Sequence, residues 1–284
     1  MVSELANYLH RVTDLMPVPV VAQQIVHLAE GRNTSAAQLR ALIEQEPAIA
    51  ARVLKVANSS LYGSSRGVET LQDAIRLLGF RTVSGIAMSA SFAGSFKRYG
   101  LAERMLWEHA VASAAIGVGL ANIQGVGVSR DRAFTVGLLH DVGKLVFSNM
   151  SPNEYDVVSA RVYNEGRPDT DVEREAFGFD HAELGAAVAG MWKLPNDLEL
   201  AILHHPDPTV IAREDPAVGQ LASIAHVAAS TCALLGIGCR EPDVSLDLQT
   251  SLGWRVLGLT PFDVDPIVEL AMRHIDGARE LMAS

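Results

Sequence analysis

The sequence predicts an all-α fold, and three observations support that prediction. Apolar residues recur with the helical period through most of the chain, so that one face of each segment would be buried. Residues typical of helix starts and helix ends stand at the edges of these segments. No sustained alternation of apolar and polar residues occurs, and no Asn-Gly turn separates two β-branched runs, so strands are not expected.

The helices of the first hundred residues can be justified in order. Ser35 and Gln38 form a capping box that opens the segment AAQLRALIEQ. Pro47 starts AIAARVLKVANSS, because proline suits the first turn of a helix. Thr70 caps LQDAIRLLG, and Gly79 ends it. The next segment, FRTVSGIAMSASFAGSF, is rich in small residues and is expected to be a helix that packs closely.

Later in the chain the same signals continue. Asn196 with Glu199 is expected to open DLELAILHH, a helix that stops before Pro206. Loops are expected at RPDTD (167–171) and AREDP (212–216). The acidic residues of one nearby stretch are most simply interpreted as a solvated loop and helix start, and they are Glu165, Asp169, Asp171, Glu173 and Glu175.

The composition indicates a filled globular core and disfavours two classes of partner. Of 284 residues, 49% are hydrophobic, which is enough for a large core. The formal charge of −10 disfavours nonspecific binding to nucleic acid or to anionic lipid, and no uninterrupted apolar run suggests a membrane span. Cys232 and Cys239 fit a reducing compartment, and both are expected in the core. We therefore expect a cytoplasmic protein that binds neither nucleic acid nor membrane.

The segment GLLHDVGKLVF, residues 137–147, sets His140, Asp141 and Lys144 inside an otherwise apolar stretch. An unpaired carboxylate buried there would cost several kcal/mol, so Asp141 is expected to have a cation beside it. Lys144 lies one helical turn away and is one candidate for that cation. A bound metal ion is the other, in which case Lys144 could hold a phosphate beside the metal.

Six of the nine histidines fall between residues 109 and 226. Helical phase places His109, His181 and His226 on apolar or small-residue stripes that face the interior. One inward histidine is more often a hydrogen-bonded core residue than a ligand. Several of them beside a buried carboxylate suit a divalent transition metal, because zinc, iron and manganese accept imidazole and carboxylate ligands. His140 and Asp141 are adjacent in the sequence, so both could be ligands of the same site.

The LLHDVGK motif resembles the HD signature of metal-dependent phosphohydrolases. Over residues 105–235 the order of the histidines resembles the HD-GYP branch, with DHAELGA and ILHHPDP as further matching stretches. This resemblance implies one or two metal ions and the lysine of the HDxGK pattern at Lys144. The ligand set that it implies is His109, His140, Asp141, His181, His204, His205 and His226. The sequence departs from the HD-GYP pattern twice, because PDPTVIAREDP contains no Gly-Tyr-Pro and His226 stands in place of an aspartate. Little or no hydrolysis of cyclic di-GMP is therefore expected.

The N-terminal third resembles the bacterial HDOD family, the HD-related output domain. The similar stretches are DLMPVPVVAQQIV, LRALIEQEPAIAARVLKVANSSLYG and LQDAIRLLGF. The resemblance implies an all-α regulatory module of signal transduction, a family in which the HD site is commonly degraded. Here the HD residues are retained. Asn58, Ser59 and Ser60 correspond to the NSxxY stretch of the family and are expected to form a structural turn.

Together these features predict an N-terminal helical lobe (1–98) packed on an HD-like helical lobe (99–236), followed by a C-terminal helical extension (237–284). The expected function is bacterial signalling through a partner protein or a small ligand, a nucleotide among the candidates, with a metal serving structure or sensing. The alternative is a metal-dependent phosphohydrolase in which Asp141 and Lys144 act in catalysis. A third hypothesis is a metal-free scaffold. Metal content and phosphoester turnover distinguish the three.

Overall fold

The computed structural model describes residues 2–15, 24, 25, 28, 35–58, 67–93, 100–238 and 241–280. Among these residues every regular element is a helix, which confirms the predicted all-α class. Short 3-10 turns lie at Leu248–Thr250 and Pro261–Asp263. The α-helices in chain order are α1 (Val2–Leu15), α2 (Ala36–Ile43), α3 (Pro47–Ala57), α4 (Leu71–Leu78), α5 (Phe80–Ala93), α6 (Leu101–Leu120), α7 (Arg130–Leu139), α8 (Val142–Met150), α9 (Pro152–Glu165), α10 (Asp169–Phe177), α11 (His181–Met191), α12 (Asn196–His204), α13 (Pro208–Ala212), α14 (Pro216–Leu235), α15 (Leu252–Leu257) and α16 (Val264–Glu280).

The ends of the early helices confirm the capping signals of the sequence. The Gln38 amide donates to the Ser35 hydroxyl at 3.3 Å, and the Gln38 side chain accepts from the Ser35 amide at 2.9 Å, which is the predicted capping box. The Asp73 amide donates to the Thr70 hydroxyl at 3.1 Å at the start of α4. Gly79 follows α4 with φ +83°, a backbone conformation that favours glycine.

Helix α12 starts differently from the expectation. Pro195 occupies the N-cap position in an extended conformation, with ψ 137°, and Asn196 is already the first helical residue. No side chain caps this helix, so the predicted capping box of Asn196 and Glu199 is wrong. Proline has a fixed φ near the helical value, and the chain can therefore turn into the helix directly after it. The predicted end before Pro206 is confirmed.

Helices α2 to α5 pack on one another through their apolar faces. Leu39 and Ile43 of α2 and Val53 of α3 are fully buried there. Burial of one such side chain contributes about 1.5–3 kcal/mol to folding. Helix α5 also packs against α7, and this contact connects the N-terminal helices to those that carry the histidines.

The histidine-bearing helices approach one another closely because glycines face neighbouring backbones. A Cβ on Gly137 of α7 would lie 2.6 Å from the carbonyl oxygen of Ser113 on α6. A Cβ on Gly143 of α8 would overlap the carbonyl oxygen of His181 on α11. Only glycine permits both approaches, so these two positions bring α6, α7, α8 and α11 within reach of one site.

Helix α1 packs directly against α8 and α11. The Tyr8 ring meets Phe147 and Phe179 edge to face, with centroid distances of 5.7 and 5.4 Å. Its hydroxyl lies 3.1 Å from the Ser151 hydroxyl oxygen. The first helix of the predicted N-terminal lobe thus covers the helix that follows Asp141. The domain boundaries 1–98, 99–236 and 237–284 stay predictions.

The long helix α14 packs against α6, α12 and α15. By length and composition, α14 could cross a membrane, and it is the one helix among the described residues that meets both conditions. Most of that apolar stretch is buried inside the protein, and the core helix of a soluble protein passes the same test. Cys232 on α14 is buried, as expected, and Cys239 lies outside the described residues.

Replacing Gly143 with alanine is expected to destabilise the fold, because the new Cβ would overlap the backbone of α11. Overpacking of this kind costs about 1–3 kcal/mol. Gly85→Ala is the matched control, since a Cβ there on α5 would meet nothing closer than 3.6 Å. Alanine at residue 85 should instead stabilise by about 0.5–1 kcal/mol. Urea unfolding measures both variants, and a Gly143→Ala variant as stable as the wild type would contradict the close approach of α8 and α11.

Candidate metal centre

Five of the predicted site residues converge between the ends of several helices. His109 lies in the middle of α6, His140 directly follows α7, and Asp141 occupies the N-cap position of α8. His181 is the first residue of α11, and His205 directly follows α12. All five are buried, so the site is an interior one.

Local sequence signals place two of these residues. Asp180 and Glu183 form a capping box, in which the Glu183 amide donates to Asp180 at 2.8 Å and the Asp180 amide donates to Glu183 at 3.0 Å. Helix α11 therefore starts with His181. Pro206 stops α12, so His205 stands at the helix end.

The two carboxylate oxygens of Asp141 face different histidines. Its Oδ2 atom lies 3.5 Å from His109 Nε2 and 3.6 Å from His140 Nε2. Its Oδ1 atom lies 3.4 Å from His181 Nε2 and 3.6 Å from His205 Nε2. The ligand atoms form two groups, each within 4.8 Å and each able to hold a metal ion, and Asp141 belongs to both.

Backbone carbonyls determine which ring nitrogen of His140 and His205 carries the proton. His140 Nδ1 lies 2.8 Å from the carbonyl oxygen of Gly137, and His205 Nδ1 lies 2.7 Å from that of Ile202. A carbonyl oxygen only accepts hydrogen bonds, so each Nδ1 donates. In a neutral imidazole the lone pair is then on Nε2, the nitrogen that faces Asp141.

A turn after α14 has the same effect on His109. Its Nδ1 atom lies 3.4 Å from the carbonyl oxygen of Ile237. Gly238, which follows with φ +67°, fits against α6 so tightly that a Cβ there would lie 2.5 Å from the Met105 carbonyl oxygen and 2.6 Å from the His109 Cβ. The orientation of His109 therefore depends on a segment 128 residues away.

His181 is held by a carboxylate rather than a carbonyl. Glu173 Oε2 accepts from both the backbone amide and the Nδ1 atom of His181, at 2.8 and 2.6 Å. The Tyr155 hydroxyl donates to the other Glu173 oxygen at 3.3 Å. Glu173 is fully buried. Carboxylate–histidine pairs of this kind orient metal-binding imidazoles and increase their basicity.

Several polar atoms at the centre of the site have no hydrogen-bond partner within the described structure. They are His109 Nε2, His140 Nε2 and Asp141 Oδ1. Unsatisfied polar atoms with this degree of burial are rare in native proteins. The Nε2 atoms of His181 and His205 lie 3.3 Å apart, a spacing that a shared proton or a shared cation would produce. A set of imidazole nitrogens and one carboxylate fits a divalent transition metal.

Burial keeps most of these imidazoles neutral. It lowers the pKa of His140 to about 4, and burial together with the nearby imidazoles holds the pKa of His205 well below its usual value. Burial also lowers the pKa of His109. His181 differs, because burial lowers its pKa but the Glu173 carboxylate more than offsets that effect and raises it. Three of the four imidazoles can thus offer a lone pair without first losing a proton at neutral pH.

Asp141 remains ionised despite its burial. Burial by itself raises its pKa, but the Lys144 ammonium and the nearby imidazoles hold the pKa well below the usual range. Lys144 Nζ lies 3.2 Å from Asp141 Oδ2 and 2.5 Å from Asp169 Oδ2. Burial lowers the pKa of Lys144, and these two carboxylates raise it well above its usual value. The site therefore contains a buried anion and a fixed ammonium beside it.

Two predicted ligands lie outside the two groups of converging ligand atoms. His204 is the last residue of α12, one position before His205, and is partly exposed. His226 on α14 directs its Nδ1 atom to the carbonyl oxygen of His205 at 2.9 Å. In this arrangement His226 supports the backbone that carries a ligand. The role of both residues as ligands stays a prediction.

The sequence interpretation of the acidic stretch is wrong for Glu173 and incomplete for Asp169. Glu173 is fully buried against His181, and Asp169 pairs with Lys144. The spacing of Asp169, Val172 and Glu173 places them on one helix face, and Val172 is fully buried. That periodicity was the available signal. Glu165 and Glu175 do form exposed ion pairs with Arg161 and Arg167.

The turn expected at Asn58, Ser59 and Ser60 is described in part. Asn58 Oδ1 accepts from the Val68 amide at 2.6 Å, and Asn58 Nδ2 donates to the Val68 carbonyl at 2.7 Å. These bonds close the loop between α3 and α4, which agrees with a structural role for Asn58. Ser59 and Ser60 lie outside the described residues.

Comparison with known proteins identifies the class of the fold. Residues 15–208 match the model of the HDOD domain family, which is more than half of the chain, and the chain therefore belongs to that family. The resemblance in the N-terminal third is thereby confirmed. An uncharacterised protein of Treponema pallidum (strain Nichols) is 24% identical over 218 residues, which cover 76% of this chain and 42% of that protein. The chain thus spans less than half the length of this relative.

Solved structures share the fold over nearly the whole chain. An HDOD domain protein of unknown function from Geobacter sulfurreducens has a TM-score of 0.74 and 23% identity, covering 99% of this chain and 97% of that one. A protein from Shewanella amazonensis SB2B, provisionally named a phosphohydrolase, has a TM-score of 0.71 and 24% identity. The match covers 97% of this chain and 98% of that one. A protein from Marinobacter aquaeolei VT8, provisionally named a signal transduction protein, has a TM-score of 0.72 and 21% identity. The match covers 99% of this chain and 64% of that one. Identities of this size establish the fold alone.

Glu173→Gln is expected to weaken binding of Zn²⁺ or Mn²⁺ by about 10- to 100-fold. The reason is that a neutral amide lacks the negative charge with which the carboxylate orients His181. Glu175→Gln, on the same helix but exposed, is the control and should leave the affinity unchanged. Calorimetric titration of the metal-free protein measures both affinities. Equal metal affinity in the wild type and Glu173→Gln would show that the Glu173–His181 contact does not serve a metal site.

Proposed function

We propose that this chain is a bacterial regulatory protein of signal transduction, which binds a partner protein or a small ligand and holds a divalent transition metal in its histidine-rich centre. The observation that supports the metal is the buried Asp141 carboxylate beside the Nε2 atoms of His109 and His140, which have no hydrogen-bond partner within the described structure. Each Asp141 oxygen faces its own pair of imidazoles, an arrangement that suits one ion or two. Zinc, iron and manganese all accept such ligands.

The regulatory role is supported by the surroundings of the centre. The segment after His205 forms the short helix α13 and the start of α14, where the HD-GYP pattern would have Gly-Tyr-Pro. Lys144, the basic side chain beside Asp141, is already paired with two carboxylates. A metal in such a centre would stabilise the contact of α6, α7, α8, α11 and α12. The state of the metal could then alter the surface that these helices present to a partner.

Chelation of the metal is expected to lower the melting temperature of the wild type and to leave that of Asp141→Asn almost unchanged. Bound metal stabilises the fold by RT ln(1 + [L]/Kd), which at a hundredfold excess over Kd is about 2.7 kcal/mol, or roughly 5–10 °C for a chain of this size. Lys144→Met keeps the ligands and should retain the sensitivity to chelator. Thermal melts with and without chelator, beside metal analysis of untagged protein, measure these effects.

If the wild-type melting temperature is the same with and without chelator and the purified protein contains no metal, the metal would be removed from this proposal. The third hypothesis, a metal-free scaffold with buried histidines, would then hold. In that case Asp141→Asn should destabilise the fold equally with and without chelator, and by less than the roughly 3–5 kcal/mol of an uncompensated buried charge, because Asp169 still pairs with Lys144.

A metal-dependent phosphohydrolase is the second candidate, and Lys144 is the observation that favours it. A divalent cation, when bound, supplies Lewis-acid activation of water and of a phosphoryl oxygen. The chain itself would contribute the Lys144 ammonium, which can hold and orient a phosphate next to Asp141. Glu173 would keep the proton of His181 on Nδ1, and the burial of the centre would exclude bulk water.

Little or no hydrolysis of cyclic di-GMP or of bis-p-nitrophenyl phosphate is expected from the metal-loaded protein, because the Gly-Tyr-Pro segment is absent and Lys144 is engaged. Product release with Zn²⁺, Mn²⁺ or Fe²⁺ at stoichiometric loading measures this. Robust turnover that disappears in Lys144→Met, while the metal content stays the same, would establish the phosphohydrolase instead.

A further inference from the structure

The ammonium of Lys144 lies closer to a surface carboxylate than to the buried one. Its Nζ atom is 2.5 Å from Asp169 Oδ2, where it donates a hydrogen bond, and 3.2 Å from Asp141 Oδ2. The bond to Asp169 is charge-assisted, because its donor and its acceptor are both ionised. Asp169 is therefore the carboxylate that accepts a hydrogen bond from Lys144, while Asp141 adds its charge from 3.2 Å.

The exposed fraction of the side chain increases from Asp141 to Lys144 to Asp169. The Asp141 side chain is 7% exposed, that of Lys144 is 15% exposed and that of Asp169 is 42% exposed. Asp169 is the most exposed of the three charged groups, and Asp141 is the least. The ion pair of Lys144 and Asp169 thus lies on the more exposed side of the candidate metal centre, here called its mouth.

Helix α10 holds Asp169 at this mouth. Asp169 is its first residue, where the positive end of the helix dipole favours a carboxylate. One turn later, Val172 and Glu173 are fully buried, and Glu173 is bonded to His181. The helix that orients a ligand histidine therefore also presents a carboxylate to Lys144, and no rearrangement is needed for that contact.

Of the carboxylates near Lys144, Asp169 is the one with no contact to a candidate ligand histidine among the bonds described above. Three carboxylates lie near this single ammonium, namely those of Asp141, Asp169 and Glu173. Glu173 is occupied by His181 and Tyr155. Asp141 faces the histidines and would share its charge with a cation in the centre. An anion that approaches Lys144 must therefore compete with Asp169.

We infer that Asp169 is an internal anion that occupies the phosphate-binding position of Lys144, and that the small ligand of this site bears a phosphate group that displaces it. Carboxylate and phosphate oxygens are equivalent acceptors for an ammonium, so one can take the place of the other. Anions that bind Lys144 more weakly than Asp169 does would therefore not displace it. This inference rests on the proposed function, because it names the ligand class of the proposed site.

The test is the binding of inorganic phosphate to the full chain, by calorimetry, for the wild type and Asp169→Asn. An ion pair formed for about nine-tenths of the time reduces the apparent affinity of a competing anion about tenfold, so Asp169→Asn should bind phosphate about ten times more tightly. The double variant Asp169→Asn/Lys144→Met should lose this gain. A structural role for Asp169 alone would not raise phosphate affinity.

Asp171→Asn is the matched control, because Asp171 lies in the same helical turn, is exposed, and should leave phosphate affinity unchanged. Each variant is titrated with and without Mn²⁺, and its metal content is measured separately. A gain in either condition that depends on Lys144 supports the inference. Equal or weaker phosphate binding by Asp169→Asn in both conditions overturns it. Absence of bound metal in every sample would overturn the proposed metal function instead, whatever the phosphate result.

Discussion

The burial of the Asp141 carboxylate is the constraint on which the rest of the site depends. An ionised carboxylate in the interior is tolerated only if cations or hydrogen donors surround it. The nearest histidine atoms are mostly lone-pair nitrogens, whose protons are on the opposite side of the ring. In the neutral imidazole such nitrogens donate no hydrogen bond to the carboxylate, from which they lie 3.5 to 3.6 Å away. Lys144 supplies one positive charge, and a divalent ion among the Nε2 atoms would supply the remainder.

The site residues are oriented by two kinds of contact. His140 and His205 stand at helix ends and bond to carbonyls three residues earlier, so local helix geometry is enough to direct their Nε2 atoms inward. His109 and His181 depend on partners from other segments, namely the Ile237 carbonyl and the Glu173 carboxylate. Changes in the segments that contain Ile237 and Glu173 would therefore act directly on the orientation of His109 and His181.

Helix α10 links the interior of the site with its mouth and with helix α1. Glu173 bonds to His181 on the inner side, and Asp169 bonds to Lys144 nearer to solvent. Behind Glu173 lies an aromatic cluster in which Phe147 stacks with Tyr155 and Phe177 at centroid distances of 5.5 and 4.3 Å. Tyr8 of α1 packs on the same cluster. A partner that moved α1 would therefore alter the packing of the aromatic cluster whose Tyr155 hydroxyl bonds to Glu173.

The sequence by itself determined the helical class and the early helix ends, because capping and helical phase are local properties. It also indicated that Asp141 needs a cation. The resemblance to the HD signature named seven candidate ligands, and the packing of the helices brought five of them together, namely His109, His140, Asp141, His181 and His205. Only the tertiary structure decided which cations and carboxylates meet. Glu173 and Asp169 read as solvated acids until the packing of α10 placed one against His181 and the other against Lys144. Their roles depend on distances between helices, which no local pattern encodes.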